Sequence, residues 1–236
     1  MQYVRWPKNN FGDNLNDIIF NRLGVTNKVA FKKTNLQNLP PNTYLGLGTL
    51  LTNKLRSKTT VCGSGVDGNS VPSVPQDYLF VRGKLSAQKL GISQDYALGD
   101  TAYFLTEFIQ SLAADKKTRK IGVIPHWQTN YTGADAIPVT LPVDEFIYRV
   151  SECEYIHAEA MHGAICADIL RIPFTPVVLG RNFNHTKWLD WASVLEIPLE
   201  FNSRHCCMSS DKKLIETSEN IINTLTRYFG KKHENA

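Results

Sequence analysis

The chain has 236 residues, enough for one large domain or two small ones with a real core. Hydrophobic residues make up 42% and charged residues 20%, the ordinary balance of a soluble globular protein, and no apolar run reaches the ~18–20 residues of a membrane span. A net charge of +4 is too small to mark a nucleic-acid binder and leans weakly toward an anionic small substrate or an acidic membrane surface.

In chain order, short apolar runs alternate with amphipathic stretches. Strands are expected at 2–6, 28–32, 43–47, 59–63, 78–82, 119–124, 153–157 and 174–179. Helices are expected at 13–23, 48–56, 84–90, 101–113, 143–150, 161–171, 186–195 and 211–229. The last helix carries Leu214, Ile215, Ile221, Ile222, Leu225 and Tyr228 at helical spacing, with Gly230 as its expected stop. Strand and helix in alternation imply an α/β fold with parallel sheets. The polar "ADKKT" after the fourth helix suggests a boundary, giving two Rossmann-like domains, 1–115 and 116–236, with a cleft between them. In open α/β sheets the ligand sits at the carboxyl ends of the strands.

The opening "MQYVRWPKNN" lacks the apolar core of a signal peptide, so the cytoplasm is the expected compartment. Cys206 and Cys207 are adjacent and there is no C-x-x-C, which points to reduced thiols and no metal site. "KKTRK" at 116–120 reads as a solvated loop.

Chemistry-bearing residues fall at strand ends. In "NNFGDNLNDII", Gly12 permits a tight turn, and Asp13 either caps the next helix or aims a carboxylate into the cleft. Gly63 to Gly68 spell a G-x-G-x-x-G after a strand, but Pro72 and Pro75 follow, so no helix N-terminus can cradle a dinucleotide there. Gly63 and Ser64 then belong to a cleft-lining loop or a plain turn. Arg82 ends a strand, where it can grip a carboxylate or phosphate or join a surface ion pair. His126 also ends a strand and, taken alone, reads as structural. His157 lies inside a strand and reads as packing.

"EYIHAEAMHGAICADILRIPF" at 154–174 carries the clearest signal. Met161, Ile165 and Ile169 share one helical face, and Gly163, Ala164 and Ala167 let that helix sit close to the sheet. His162 falls in its first turn, where free backbone N–H groups favour an anion and a histidine can serve as a general acid. Asp168 and Arg171 are expected to pair on the exposed face.

Taken together, "NFGDNLN" (10–16), "LGLGTLL" (45–51), "CGSG" (62–65), "VRGKLSAQKLG" (81–91), "LGD" (98–100), "IGVIPHW" (121–127) and "AEAMHGAICADILRIPF" (158–174) resemble the polysaccharide pyruvyl transferase family, in family order. The branch most similar is that of the ketal-pyruvate transferases of exopolysaccharide synthesis. The resemblance implies a GT-B-like fold, phosphoenolpyruvate as donor substrate with no other cofactor, and a sugar or lipid-linked oligosaccharide as acceptor, joined as a cyclic pyruvate ketal. It implies His162 as catalytic acid, Asp13 as the carboxylate taking a hydroxyl proton, and Asn10, Gly12, Gly63, Ser64, Arg82, His126, Glu159 and Gly163 as substrate-binding residues. The family's Arg-x-His-Gly pattern falls on 160–163, where Ala160 stands in place of the arginine. The missing cation is expected from Arg82, with Arg171 and Arg181 as further candidates. The final helix is expected to cross back toward the first domain, and the basic tail to be solvated or to touch an acidic membrane. Two other readings fit the same fold: a glycosyltransferase using a sugar nucleotide, and a non-catalytic sugar- or anion-binding protein.

Overall fold

The computed structural model describes residues 1–6, 9–30, 35–66, 68, 70–181 and 183–234. The chain forms two parallel sheets flanked by helices. In the first sheet β1 (Gln2–Arg5), β2 (Asn27–Ala30), β3 (Thr43–Leu45), β4 (Thr60–Cys62) and β5 (Asp77–Phe80) run in the order β2-β1-β3-β4-β5, every neighbour parallel. In the second, β6 (Arg119–Ile124), β7 (Cys153–Ala158) and β8 (Phe174–Pro176) run in sequence order, again parallel. Tyr44, Leu45, Val61 and Cys62 are fully buried, as inner strands covered on both faces require.

Among the described residues six α-helices cover the sheets: α1 (Phe11–Arg22), α2 (Lys84–Leu90), α3 (Val143–Ser151), α4 (Met161–Ile169), α5 (His185–Leu195) and α6 (Asp211–Glu234). None of the described helices is long and apolar enough to cross a membrane. The α4 segment is buried nearly all round, the mark of a core helix. Gly163 lets it sit close to the sheet, because a Cβ there would lie 2.7 Å from Ile124 Cγ2 on β6. The α6 helix returns to the first sheet, where Phe229 meets the edges of Phe20 and Tyr44 at 6.1 and 4.8 Å between ring centroids. The largest core cluster joins Tyr3 and Phe20 to Phe146, Ile165, Trp191 and Phe229, and so draws on both halves of the chain.

Several expectations are corrected. Residues 48–56 form no helix, because Gly48 takes a φ of +129° and Leu51 bridges to Val66 instead. Residues 101–113 form two 3-10 turns, Thr101–Glu107 and Ile109–Leu112, broken at Phe108. The α6 helix runs through Gly230 rather than stopping there. β8 ends at Pro176 rather than running to 179: Val177 N–H still reaches Ala158 O on β7, but Val178 N–H turns to Asn202 Oδ1. Asp168 is not on an exposed face. It is fully buried, accepting from Ser209 N and Oγ at 2.7 and 2.8 Å and from the Tyr103 hydroxyl at 3.0 Å. Arg171 approaches it at 3.6 Å and pairs more closely with Asp211, at 2.8 Å. Residues 31 and 32 of the second expected strand, Asp67 of the glycine-rich loop and the last two residues of the basic tail lie outside the described residues.

Candidate active site

The order of the first sheet reverses direction between β1 and β3, the switch point at which α/β sheets hold ligands. A cavity of about 160 Å³ opens there. The turn after β1 supplies Asn10, Gly12 and Asp13, the segment after β3 supplies Gly48 and Thr49, and Arg82 follows β5. From the second sheet come His126, just past β6, and Ala160 and His162, just past β7. Lys187, in the first turn of α5, completes the lining with its ammonium side chain. Sheet topology thus brings together residues up to 177 positions apart, from Asn10 to Lys187.

His162 is the one residue of α4 that is not buried. Its Nε2 lies 3.5 Å from Asp100 Oδ2, longer than a good hydrogen bond but close enough for charge pairing. Neither atom has a hydrogen-bond partner among the described residues. Burial alone would raise the Asp100 carboxyl, yet the neighbouring His162 and the hydrogen bond from the Ala102 amide hold it below its ordinary value. The other ring edge rests on Gly12. A Cβ there would overlap Nδ1 and lie 2.7 Å from Cγ and Cε1. The amides of Met161 and His162 donate to no acceptor among the described residues, as expected in the first turn of a helix.

Arg82 is wholly buried, and not the surface ion pair that its sequence context left open. Its Nε donates to Asp190 Oδ2 at 3.0 Å, and its Nη1 to Thr49 Oγ1 at 3.0 Å. Asp190, on α5, also accepts from Ser86 N and Oγ at 2.8 and 2.6 Å, so one buried carboxylate ties α2, α5 and the guanidinium together. Arg82 Nη2 is buried with no partner among the described residues. Lys187 makes no ion pair among them either. Burial and the nearby Arg82 push its ammonium down to about 8, against the opposing pull of Asp100, Asp13 and Glu159. Arg82, Lys187 and two helix starts therefore face one small space, an arrangement suited to an anion.

Asn10 caps α1, its Oδ1 accepting from Asp13 N at 3.1 Å while its amide donates to the Asp13 carboxylate. Burial pushes the Asp13 carboxyl up to about 6, although the Asn10 hydrogen bond and His162 pull the other way. Asn10 rather than Asp13 is therefore the cap, because the helix begins at Phe11, and Asp13 lies in the first turn and lines the cavity.

Of the remaining expected residues, Glu159, Ser64 and Gly63 stand behind the lining. Glu159 is buried and accepts from the amides of His126, Leu179 and Gly180 at 2.8, 3.0 and 2.6 Å, which fixes the loops after β6 and β8. His126 faces the cavity, its basicity lowered by burial and by Lys187. Ser64 accepts from Leu50 N and donates to Gly48 O, clamping the turn that presents Thr49. Gly63 holds a φ of +95° with Phe80 and Thr101 packed against its α-carbon, a place for glycine and for no side chain. Neither Arg171 nor Arg181 is among the cavity's lining residues.

Sequence reasoning passed over Lys187, Asp190 and the role of Asp100. "NHTKWLDWA" spells a helix with no local sign of which residues face a cavity, and Asp100 lies in the family-like "LGD" segment.

The sequence profile described as "Polysaccharide pyruvyl transferase" matches residues 50–180. The chain is 31% identical over 206 residues to the succinoglycan biosynthesis protein ExoV of Rhizobium meliloti (strain 1021), covering 80% of this chain and 62% of that relative. The chain thus spans less than two thirds of the relative's length.

Proposed function

The chain belongs to the polysaccharide pyruvyl transferase family, and from that membership and the cavity's chemistry we propose that it moves the pyruvyl group of phosphoenolpyruvate onto two hydroxyls of a saccharide in surface or exopolysaccharide synthesis. The two sheets act in this reading as the halves of a GT-B-like arrangement, 1–115 and 116–236. The observation that carries it is the meeting of a buried guanidinium, an ammonium with no ion-pair partner among the described residues and a carboxylate-paired histidine around one small cavity.

Phosphoenolpyruvate brings a phosphate and a carboxylate. Arg82 Nη2, Lys187 and the start of α4 bind them, and Lys187 with Arg82 supplies the positive charge that position 160 lacks. His162, facing Asp100, gives a proton to C3 of the enol, and C2 becomes electrophilic. A sugar hydroxyl attacks C2 as Asp13 takes its proton. Phosphate leaves with its bridging oxygen, and the second hydroxyl closes the ketal on C2 with loss of its own proton. Of the two protons the hydroxyls give up, one balances the proton placed on C3 and the other departs with phosphate. The donor is already activated, so the reading calls on no further cofactor.

The test is phosphate release from phosphoenolpyruvate by His162→Ala and His162→Gln. Both are expected to lose about 10²–10⁴-fold in rate, the usual worth of a positioned acid. Gln keeps a donor toward Asp100 and controls for folding. A glutamine variant as fast as the unchanged protein contradicts the assignment.

A further inference from the structure

A second, wider groove adjoins the cavity. It measures about 440 Å³ against about 160 Å³, within the ~300–1,000 Å³ span of small-ligand sites. The two share Asp13, Gly48, Thr49, His126, Trp127 and Lys187, so they form one continuous space with Asp13 at the junction. Their chemistries differ. The inner cavity gathers Arg82 and His162, whereas the outer groove adds the indole of Trp6 to the shared Trp127, and the amides Asn53, Gln128 and Asn184. Trp127 is 39% exposed, a large surface for an aromatic side chain to leave in water. Trp6 is half-buried.

We infer that this outer groove is the subsite for the saccharide acceptor, with a pyranose ring laid against the indole of Trp127 or Trp6, its hydroxyls met by Asn53, Gln128 and Asn184, and its reacting diol delivered to Asp13. An indole offers an apolar face to the C–H side of a sugar ring and a polar N–H at its rim. Side-chain amides both donate and accept, which suits hydroxyls that do the same. The groove adds one cation of its own, Lys54, to the shared Lys187. A nucleoside diphosphate would need its charge met here, and the guanidinium that could do so lines the inner cavity instead. The inference rests on the pyruvyl-transfer reading for the word "acceptor", while the saccharide site itself stands on the groove.

The experiment uses the full chain, Trp127→Ala, Trp6→Ala and Trp127→Phe. The probes are phosphoenolpyruvate alone, methyl glycosides of glucose, galactose and mannose, gluco- and galacto-configured tetrasaccharides, and uridine diphosphate. Binding is followed by calorimetry, and phosphate release in parallel. At least one saccharide is expected to bind, and Trp127→Ala or Trp6→Ala to weaken it about tenfold or more. Phosphoenolpyruvate affinity should stay within about twofold in Trp6→Ala, whose indole lines the outer groove alone, and Trp127→Phe should restore most of the saccharide affinity that Trp127→Ala loses. The inference is overturned if no saccharide of the panel binds, if both ligands weaken together in Trp6→Ala, or if uridine diphosphate displaces the saccharide. Saccharide binding that depends on these indoles, without phosphate release in the unchanged protein, would keep the subsite and sink pyruvyl transfer.

Discussion

Gly12→Ala should separate catalysis from folding. The added methyl carbon would overlap His162 Nδ1 and come within 2.7 Å of two ring carbons. Carbon atoms settle at about 3.5–4.0 Å, so the imidazole must retreat by roughly 1 Å. Its partner Asp100 is fully buried and tied to the Ala102 amide, so it cannot follow. A misplacement of that size costs about 10²-fold in rate, or roughly 2.7 kcal/mol of barrier. Folding has little reason to suffer. Gly12 holds no left-handed backbone, it lies in a helix where alanine is favoured by up to ~1 kcal/mol, and the ring can swing into the cavity. Steady-state phosphate release and thermal unfolding on the same preparation decide the matter. The expected result is kcat down about a hundredfold with the melting temperature within a few degrees. Unchanged kcat would refute the placement of His162 against Gly12. A collapse of the melting temperature would show that the glycine serves packing first.

Two further outcomes follow from the buried charges. The rate should be bell-shaped in pH, rising as Asp13 ionises near about 6 and falling as Lys187 loses its proton near about 8. Asp13→Asn should remove the acid limb and Lys187→Met the alkaline one. In stability the signs are the reverse. Asp13 holds its proton in the fold above its ordinary value of 3.8, so its contribution weakens as pH rises from about 4 to about 6. Lys187 sheds its proton early in the fold, so its contribution grows as pH rises from about 8 to its ordinary 10.5. Arg82→Met leaves Asp190 buried without its guanidinium and should cost about 3–5 kcal/mol in denaturant unfolding. A loss below about 1 kcal/mol would mean that the Ser86 donors suffice alone.

How much of this was written locally can be judged residue by residue. The parallel α/β character was legible, because short strand-like runs alternate with helical stretches, and α1 and α6 carry their buried residues at helical spacing. His162 was legible because a small-residue helix starting at a strand end has few uses for a histidine. The segment 48–56 misled, since its leucines fit a helical period while a positive-φ glycine and the Ser64 clamp fix it as a turn. Arg82 was found but its setting was not, because Asp190 lies 108 residues away. Asp168 and Arg171 suggested a surface pair by their spacing, yet Ser209 and Tyr103 drew the carboxylate inward from distant segments. Lys187 was invisible for the same reason: only the sheet order decides which helix start faces the cavity.

The central claim is a transfer chemistry, and its most direct measurement is the stoichiometry of product. The protein is incubated with phosphoenolpyruvate and the saccharide that binds best, phosphate is counted, and the saccharide is weighed by mass spectrometry. The account predicts one phosphate released for each saccharide that gains one pyruvate less one water, with both signals lost in His162→Ala. Phosphate released with free pyruvate and an unmodified saccharide, or a saccharide altered only when a sugar nucleotide is supplied, would contradict it.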